Sequence, residues 1–203
     1  MKKLAGIAAM ALLLATSAPA SAAPSAVTYK LKATALGQSA EFTLDQTLDA
    51  TAPETAAPGG TVTAVIDPAP NKVPASAGGY TVREIKTITL KLPVPANATF
   101  RSATATGGAG LGNGTPTVSL SGTDVVLKIA GPIKGGADFE LPTITLNLTA
   151  GASGTITTKL GGTSYTAPGL TFTATITALG FPIDAPATGY PDPNPALTTT
   201  TIG

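Results

Sequence analysis

Histidine, cysteine and tryptophan are all missing from this 203-residue chain. Histidine is the usual general base near neutral pH and the commonest metal ligand, so its absence removes the ordinary route to an activated serine or a bound zinc ion. Without cysteine there is no thiolate nucleophile, soft-metal site, disulfide or lipoprotein acylation site. Aromatic residues make up only 4% of the chain, too few for the aromatic girdles of an outer-membrane barrel. Charged residues are also sparse at 11%, against about 25% in an ordinary soluble domain. The side chains that remain are chiefly threonine, alanine, glycine and proline. Threonine is β-branched and polar, so it suits the outer face of a strand.

The first 22 residues read as an export signal. Lys2 and Lys3 form a positive start, Leu4 to Ala15 an apolar run, and Ala20-Ser21-Ala22 an A-x-A exit. The apolar run falls short of the ~20 residues a membrane-spanning helix needs, and no later stretch reaches that length. Cleavage after Ala22 is expected, giving a secreted or cell-envelope protein with no transmembrane segment in the mature chain. Removal of the two lysines leaves ten Lys and Arg against eleven Asp and Glu. The basic residues are dispersed from Lys30 to Lys159, so nucleic acid finds no electrostatic footprint. A mature length of about 180 residues suffices for a core that holds without disulfides.

Alternation with period two then recurs along the chain. Val27, Tyr29, Leu31, Ala33 and Ala35 share one face; after a turn at Gly37-Gln38-Ser39, Phe42, Leu44 and Leu48 share another. Further strands are predicted at 61–66, 80–92, 99–106, 143–149, 154–160 and 169–177, with a hairpin across Gly122-Thr123. In the 80–92 segment Ile85 lies out of phase with Tyr80, Val82, Ile88, Leu90 and Leu92, which predicts a β-bulge near Glu84–Lys86. The prolines after Gly180 argue against a central strand. The expected organisation is a signal peptide at 1–22, a β-sandwich domain at 23–182 and a proline-rich C-terminal arm at 183–203, packed along an edge with a frayed end. The expected fold is all-β: an immunoglobulin-like antiparallel β-sandwich of eight or nine strands, with an up-and-down β-barrel as the alternative.

"APGGTVT" (57–63) resembles the turn entering a core strand in bacterial immunoglobulin-like modules, and "LPVPANATFRSATATGG" (92–108) resembles their strand–loop pattern. "VPASAGGYTV", "GPIKGG" and "LTAGASGTITTKLGGTSYTAPGLTF" extend the likeness across nearly the whole mature chain. On these segments the chain is similar to a group of small exported actinobacterial proteins of unknown function. The resemblance implies a fold, a compartment and a cysteine near each end of the mature domain, but no catalytic residues. The corresponding regions here, around Leu31 and Gly189, contain no cysteine.

No catalytic, cofactor-binding or metal residues are assigned. Glu41, Asp45 and Asp49 are spaced four apart on one strand face, so neighbours stand roughly 13 Å apart, too far for a glycosidase pair at about 5–9.5 Å. Asp138, Glu140, Asp184, Asp192 and Asn194 offer oxygen ligands without a calcium-loop spacing, and read as turn and surface residues. "GGAGLGNG" (107–114) lacks the Gly-Lys-Ser/Thr of a phosphate loop and precedes a strand, so it reads as a flexible connection. The expected function is a noncatalytic structural or adhesive module of the cell envelope or exterior, binding an unknown envelope component or protein. The alternative is a binder of an apolar envelope ligand such as a lipid, since the mean hydropathy of +0.29 and the alanine-rich faces leave room for acyl chains.

Overall fold

A computed structural model describes residues 19–21 and 24–203 of the chain; the expected export signal and its cleavage site lie outside these residues except for the backbone of Pro19–Ser21. That short segment pairs antiparallel with Thr51–Pro53. Twelve strands of five residues or more follow. The first four are β1 (Ser25–Ala35), β2 (Gln38–Pro53), β3 (Thr61–Pro68) and β4 (Tyr80–Pro93). Next come β5 (Ala98–Thr106), β6 (Thr117–Ser121), β7 (Asp124–Ile129) and β8 (Thr143–Ala150). The last four are β9 (Gly154–Thr158), β10 (Leu170–Ala178), β11 (Phe181–Pro191) and β12 (Thr198–Ile202).

The all-β antiparallel expectation holds; its sandwich detail is not confirmed. Ten strands join in one sheet, in the order β6-β7-β4-β10-β11-β1-β2-β3-β8-β5, with every neighbour antiparallel. The sheet curls until its edge strands β6 and β5 approach within 8 Å, Cα to Cα, without a ladder between them. The result is a nearly closed barrel. Its connections are not up-and-down, because β4 lies between β7 and β10, and β8 between β3 and β5. The sequence pattern fixes which face of each strand is buried, but strand order depends on pairings far apart in the chain.

Alternation places the core. In β8, Ile144, Leu146, Leu148 and Ala150 point inward while Thr143, Thr145, Asn147 and Thr149 point out. Strand β9, β12 and the residues Thr55–Ala56 form a second, small sheet at the end of β2 away from its turn. It brings Ile156, Leu197 and Ile202 into the core, and buried threonines bond one another or the backbone there: Thr158 and Thr198 hydroxyls lie 2.7 Å apart, and Thr200 Oγ1 donates to the Pro53 carbonyl at 2.6 Å.

Three expectations need correction. The segment read as an edge arm from residue 183 is part of β11, which lies inside the sheet between β10 and β1. Its prolines all lie where β11 has one neighbour: Pro182 and Pro186 precede the β1 ladder, which starts at Ala187, and Pro191 lies beyond the β10 ladder, which ends at Gly189. The C-terminal end is not frayed, since β12 is paired on both sides and Leu197 and Ile202 are buried. The glycine-rich segment 107–114 is packed, not a loose connection: Ala109 bridges Glu140, Gly112 bridges Gly131, and Leu111 is buried. A Cβ at Gly110 would stand 2.5 Å from the Asp138 carbonyl oxygen and one at Gly112 2.3 Å from that of Pro132, so glycine is required for close approach. The bulge expected near Glu84–Lys86, by contrast, has its counterpart in two register shifts that adjoin this segment on either side. The β4–β10 register shifts between the pairs Thr171–Thr89 and Thr173–Lys86, and again between Thr175–Glu84 and Ile176–Val82.

Candidate functional site

The hollow of the barrel opens at one end as a cavity of about 400 Å³. Its wall is built from the ends of β1, β2, β4, β10 and β11, and small inward residues leave the space: Ala33, Ala35, Ala40, Ala174, Ala178 and Ala185. Phe42, Phe139 and Phe172 give it aromatic surface. The polar side chains in the lining are Gln38, Ser39, Thr43, Lys72 and Tyr80, and the Lys72 ammonium lies 3.2 Å from the Asp138 carboxylate. An apolar cavity of this kind holds water poorly, because water needs two to four polar partners.

A smaller cavity of about 60 Å³ lies deeper. Leu44, Ile85, Phe139 and Phe172 line both and form the partition. Ile85 reaches this position because the two register shifts on β4 bracket it, which explains its departure from the strand's phase. The inner cavity is also lined by Tyr29, whose hydroxyl is buried without a protein partner. Burial pushes that phenol well above its usual range, so it stays protonated.

The mouth is framed by three hairpin turns. They are Leu36-Gly37 between β1 and β2, Gly78-Gly79 at the start of β4, and Leu179-Gly180 between β10 and β11. All six residues have φ between 51° and 83°. Register confirms that the turns share one end: Ala77 pairs Tyr80, Thr81 pairs Thr177, and β11 runs antiparallel to β1 from Ala187–Ala33. The side chains of Leu36, Tyr80, Leu179 and Phe181 are exposed there. A bulky residue in the left-handed region costs about 1–2 kcal/mol, so each leucine is held at a penalty.

The carboxylates singled out in the sequence stand apart on the outer surface. Glu41 faces Lys32 at 3.6 Å, and Asp45 accepts from the Thr28 hydroxyl at 2.6 Å. Asp49 is exposed on the same strand. Asp138 pairs with Lys72; Glu140 is bridged through its backbone to Ala109; Asp192 pairs with Lys30, whose ammonium is held above its usual range by that hydrogen bond. Asp184 lies 3.0 Å from Lys86 and accepts from Thr175 Oγ1 at 2.8 Å; the threonine hydroxyl first, then the lysine, holds its carboxyl below the usual range. Asn194 donates to the Leu160 carbonyl at 2.8 Å. Nearby, Tyr165 packs edge-to-face on Tyr190 at 5.2 Å under the Lys32 ammonium, and desolvation raises its phenol above the usual range. Among the described residues no three acidic side chains converge on one point. The cavity itself was signalled in the sequence only by alanine recurring on inward faces.

No family model matches the chain, and no curated protein or solved structure does.

Proposed function

We propose that this is an exported, noncatalytic binder of an apolar ligand, taking a single-chain amphiphile into the open end of the barrel. The cavity carries the reading. Its volume falls within the ~300–1,000 Å³ range of small-molecule sites, and its lining has the apolar wall with few polar groups that such sites use. A hydrocarbon chain laid along Phe42, Phe172 and Ile85 gains about 0.8 kcal/mol per buried methylene. Its polar end would rest at Gln38, Ser39 and Lys72, where a carboxylate or similar anion meets the ammonium. The partition of Leu44, Ile85, Phe139 and Phe172 sets where a short chain ends, and a longer chain displaces it into the inner cavity.

Titration with the fluorescent fatty acid cis-parinaric acid tests this, alongside native mass spectrometry of protein from its own host. Saturable binding of one molecule per chain, with affinity rising along an alkyl-chain series, is the expected result. Absence of probe binding together with a bare protein mass would overturn the reading.

A second reading, a structural or adhesive module of the envelope, draws on the seam between β5 and β6. Both strands there have unladdered backbone groups to which another strand could pair. Retention of the purified protein on cell-wall fractions, abolished by a proline within β5, is the outcome this second reading requires.

A further inference from the structure

Hairpin turns with positive φ at both central residues ordinarily take Asn-Gly, Asp-Gly or Gly-Gly. The Gly78-Gly79 turn follows that rule. The other two turns at the same end place leucine in the first position, Leu36 at φ 51° and Leu179 at φ 53°. Neither leucine is repaid by the fold, since their side chains are 61% and 86% exposed. Phe181, 69% exposed, follows Leu179-Gly180, and Tyr80 follows Gly78-Gly79. Four large side chains are thus exposed around the cavity mouth, Leu36 and Tyr80 also lining it, and the two leucines sit against local backbone preference. Patches of this kind mark interaction surfaces.

We propose that these three turns insert into the surface of a zwitterionic lipid bilayer and set the cavity mouth against the membrane. The charge distribution selects this partner. Residues 33–40, 73–82 and 160–183 contain no charged side chain. The nearest charges on the tip strands, Lys32, Glu41, Arg83 and Asp184, are each four residues behind a turn, which at ~3.4 Å per residue leaves an uncharged zone of at most about 13 Å. That zone covers the ~5–10 Å to which interfacial segments bury their apolar faces. Behind it the two signs are balanced: Lys32 pairs with Glu41, Lys72 with Asp138 and Lys86 with Asp184, and Arg83, in no ion pair among the described residues, is followed in sequence by Glu84. Paired charges of both signs complement headgroups that carry both signs, where a basic patch would have selected an anionic surface. The inference goes beyond ligand binding and does not depend on it.

The absence of native tryptophan provides the test. In a Leu179→Trp variant the introduced indole is the chain's only one, so its fluorescence reports this turn and nothing at the N-terminus. With phosphatidylcholine vesicles its emission is expected to move to shorter wavelength and to be quenched by brominated acyl chains. The same substitution at Leu120, exposed on β6 at the opposite end, is expected to show neither change. A double variant, Leu36→Asn with Leu179→Asn, is expected to lower vesicle partitioning by about tenfold or more. It is also expected to raise the thermal midpoint, because asparagine tolerates the left-handed region. An unresponsive indole in the Leu179→Trp variant, or an equal response from the Leu120→Trp variant, would overturn the proposal. So would sedimentation showing that the tips pair two copies of the chain and that Asn substitution merely makes it monomeric. Ligand titration of a Leu179→Asn single variant separates the two readings, since Leu36 lines the cavity and Leu179 does not.

Discussion

The two ends of the barrel are made by the same sheet and filled differently. At the end covered by β9 and β12, inward positions are Leu92, Leu127, Leu146, Leu148 and Ile156, all fully buried, and only the inner cavity of about 60 Å³, which Leu92 lines, is left. At the open end the corresponding positions fall to Ala33, Ala35, Ala174, Ala178 and Ala185, and a hollow of about 400 Å³ remains. Strand alternation is the same in both halves, so backbone pattern does not decide between a core and a cavity; side-chain volume does. The open end is also where leucine occupies strained turn positions. One half is organised for stability, while the other gives up stability in both packing and backbone.

Removal of a large side chain from the filled half should have the greatest effect. Leu148→Ala is expected to lower unfolding free energy by about 2–5 kcal/mol in denaturant titration. A loss below about 1 kcal/mol would show that the filled end is loosely packed and erase the contrast. The waist between the halves is the next place to intervene. Leu31 and Gly189 are register partners on β1 and β11, so the regions where the resemblance implied cysteines are adjacent in space. A Cβ at Gly189 would meet Leu31 Cδ2 at 2.3 Å, a clash that the paired change Leu31→Cys with Gly189→Cys removes. Under oxidising conditions this pair is expected to form a disulfide and add about 2–4 kcal/mol, read as a shift on reduction.

In the open half, enlargement should do the reverse of what truncation does in the filled half. Ala174→Leu is expected to stabilise the protein by about 0.5–2 kcal/mol while abolishing binding of the fatty-acid probe. If it destabilised instead, the alanine face would be closely packed and the hollow functionally unusable. The smallest effect concerns the outer surface. Asp184 has a depressed carboxyl pKa, so its contribution to stability is present above the unfolded-state value and is lost as pH falls through the lower folded-state value. Thr175→Val removes the leading hydrogen bond and should raise the Asp184 midpoint toward the ordinary carboxylate range in an NMR titration. Probe binding at neutral pH should be unchanged.

Much of the strand content is legible in the sequence because local alternation and burial coincide. Val27 to Ala35 and Ile144 to Leu148 need only a two-residue period to be read correctly. The first turn falls at Leu36-Gly37, one residue before the expected Gly37-Gln38-Ser39, because no propensity rule puts leucine at positive φ. Strand β11 is hidden by Pro182 and Pro186, which are tolerated only through the late arrival of β1, a fact of strand order absent from the local sequence. The packing of residues 107–114 is hidden for a similar reason, since the carbonyls that demand glycine come from Asp138 and Pro132. The alanine faces are visible in the sequence, but whether larger neighbours fill them depends on the curvature of the sheet.

The unladdered seam between β5 and β6 gives this barrel a mechanical property that a fully closed one lacks. In a closed barrel, strand number and stagger fix the diameter. Here the ring is cut once, so its circumference can widen by parting two strands that share no hydrogen-bond ladder, with every other strand pair intact. The circumference of this barrel is therefore not locked by a continuous hydrogen-bond ladder.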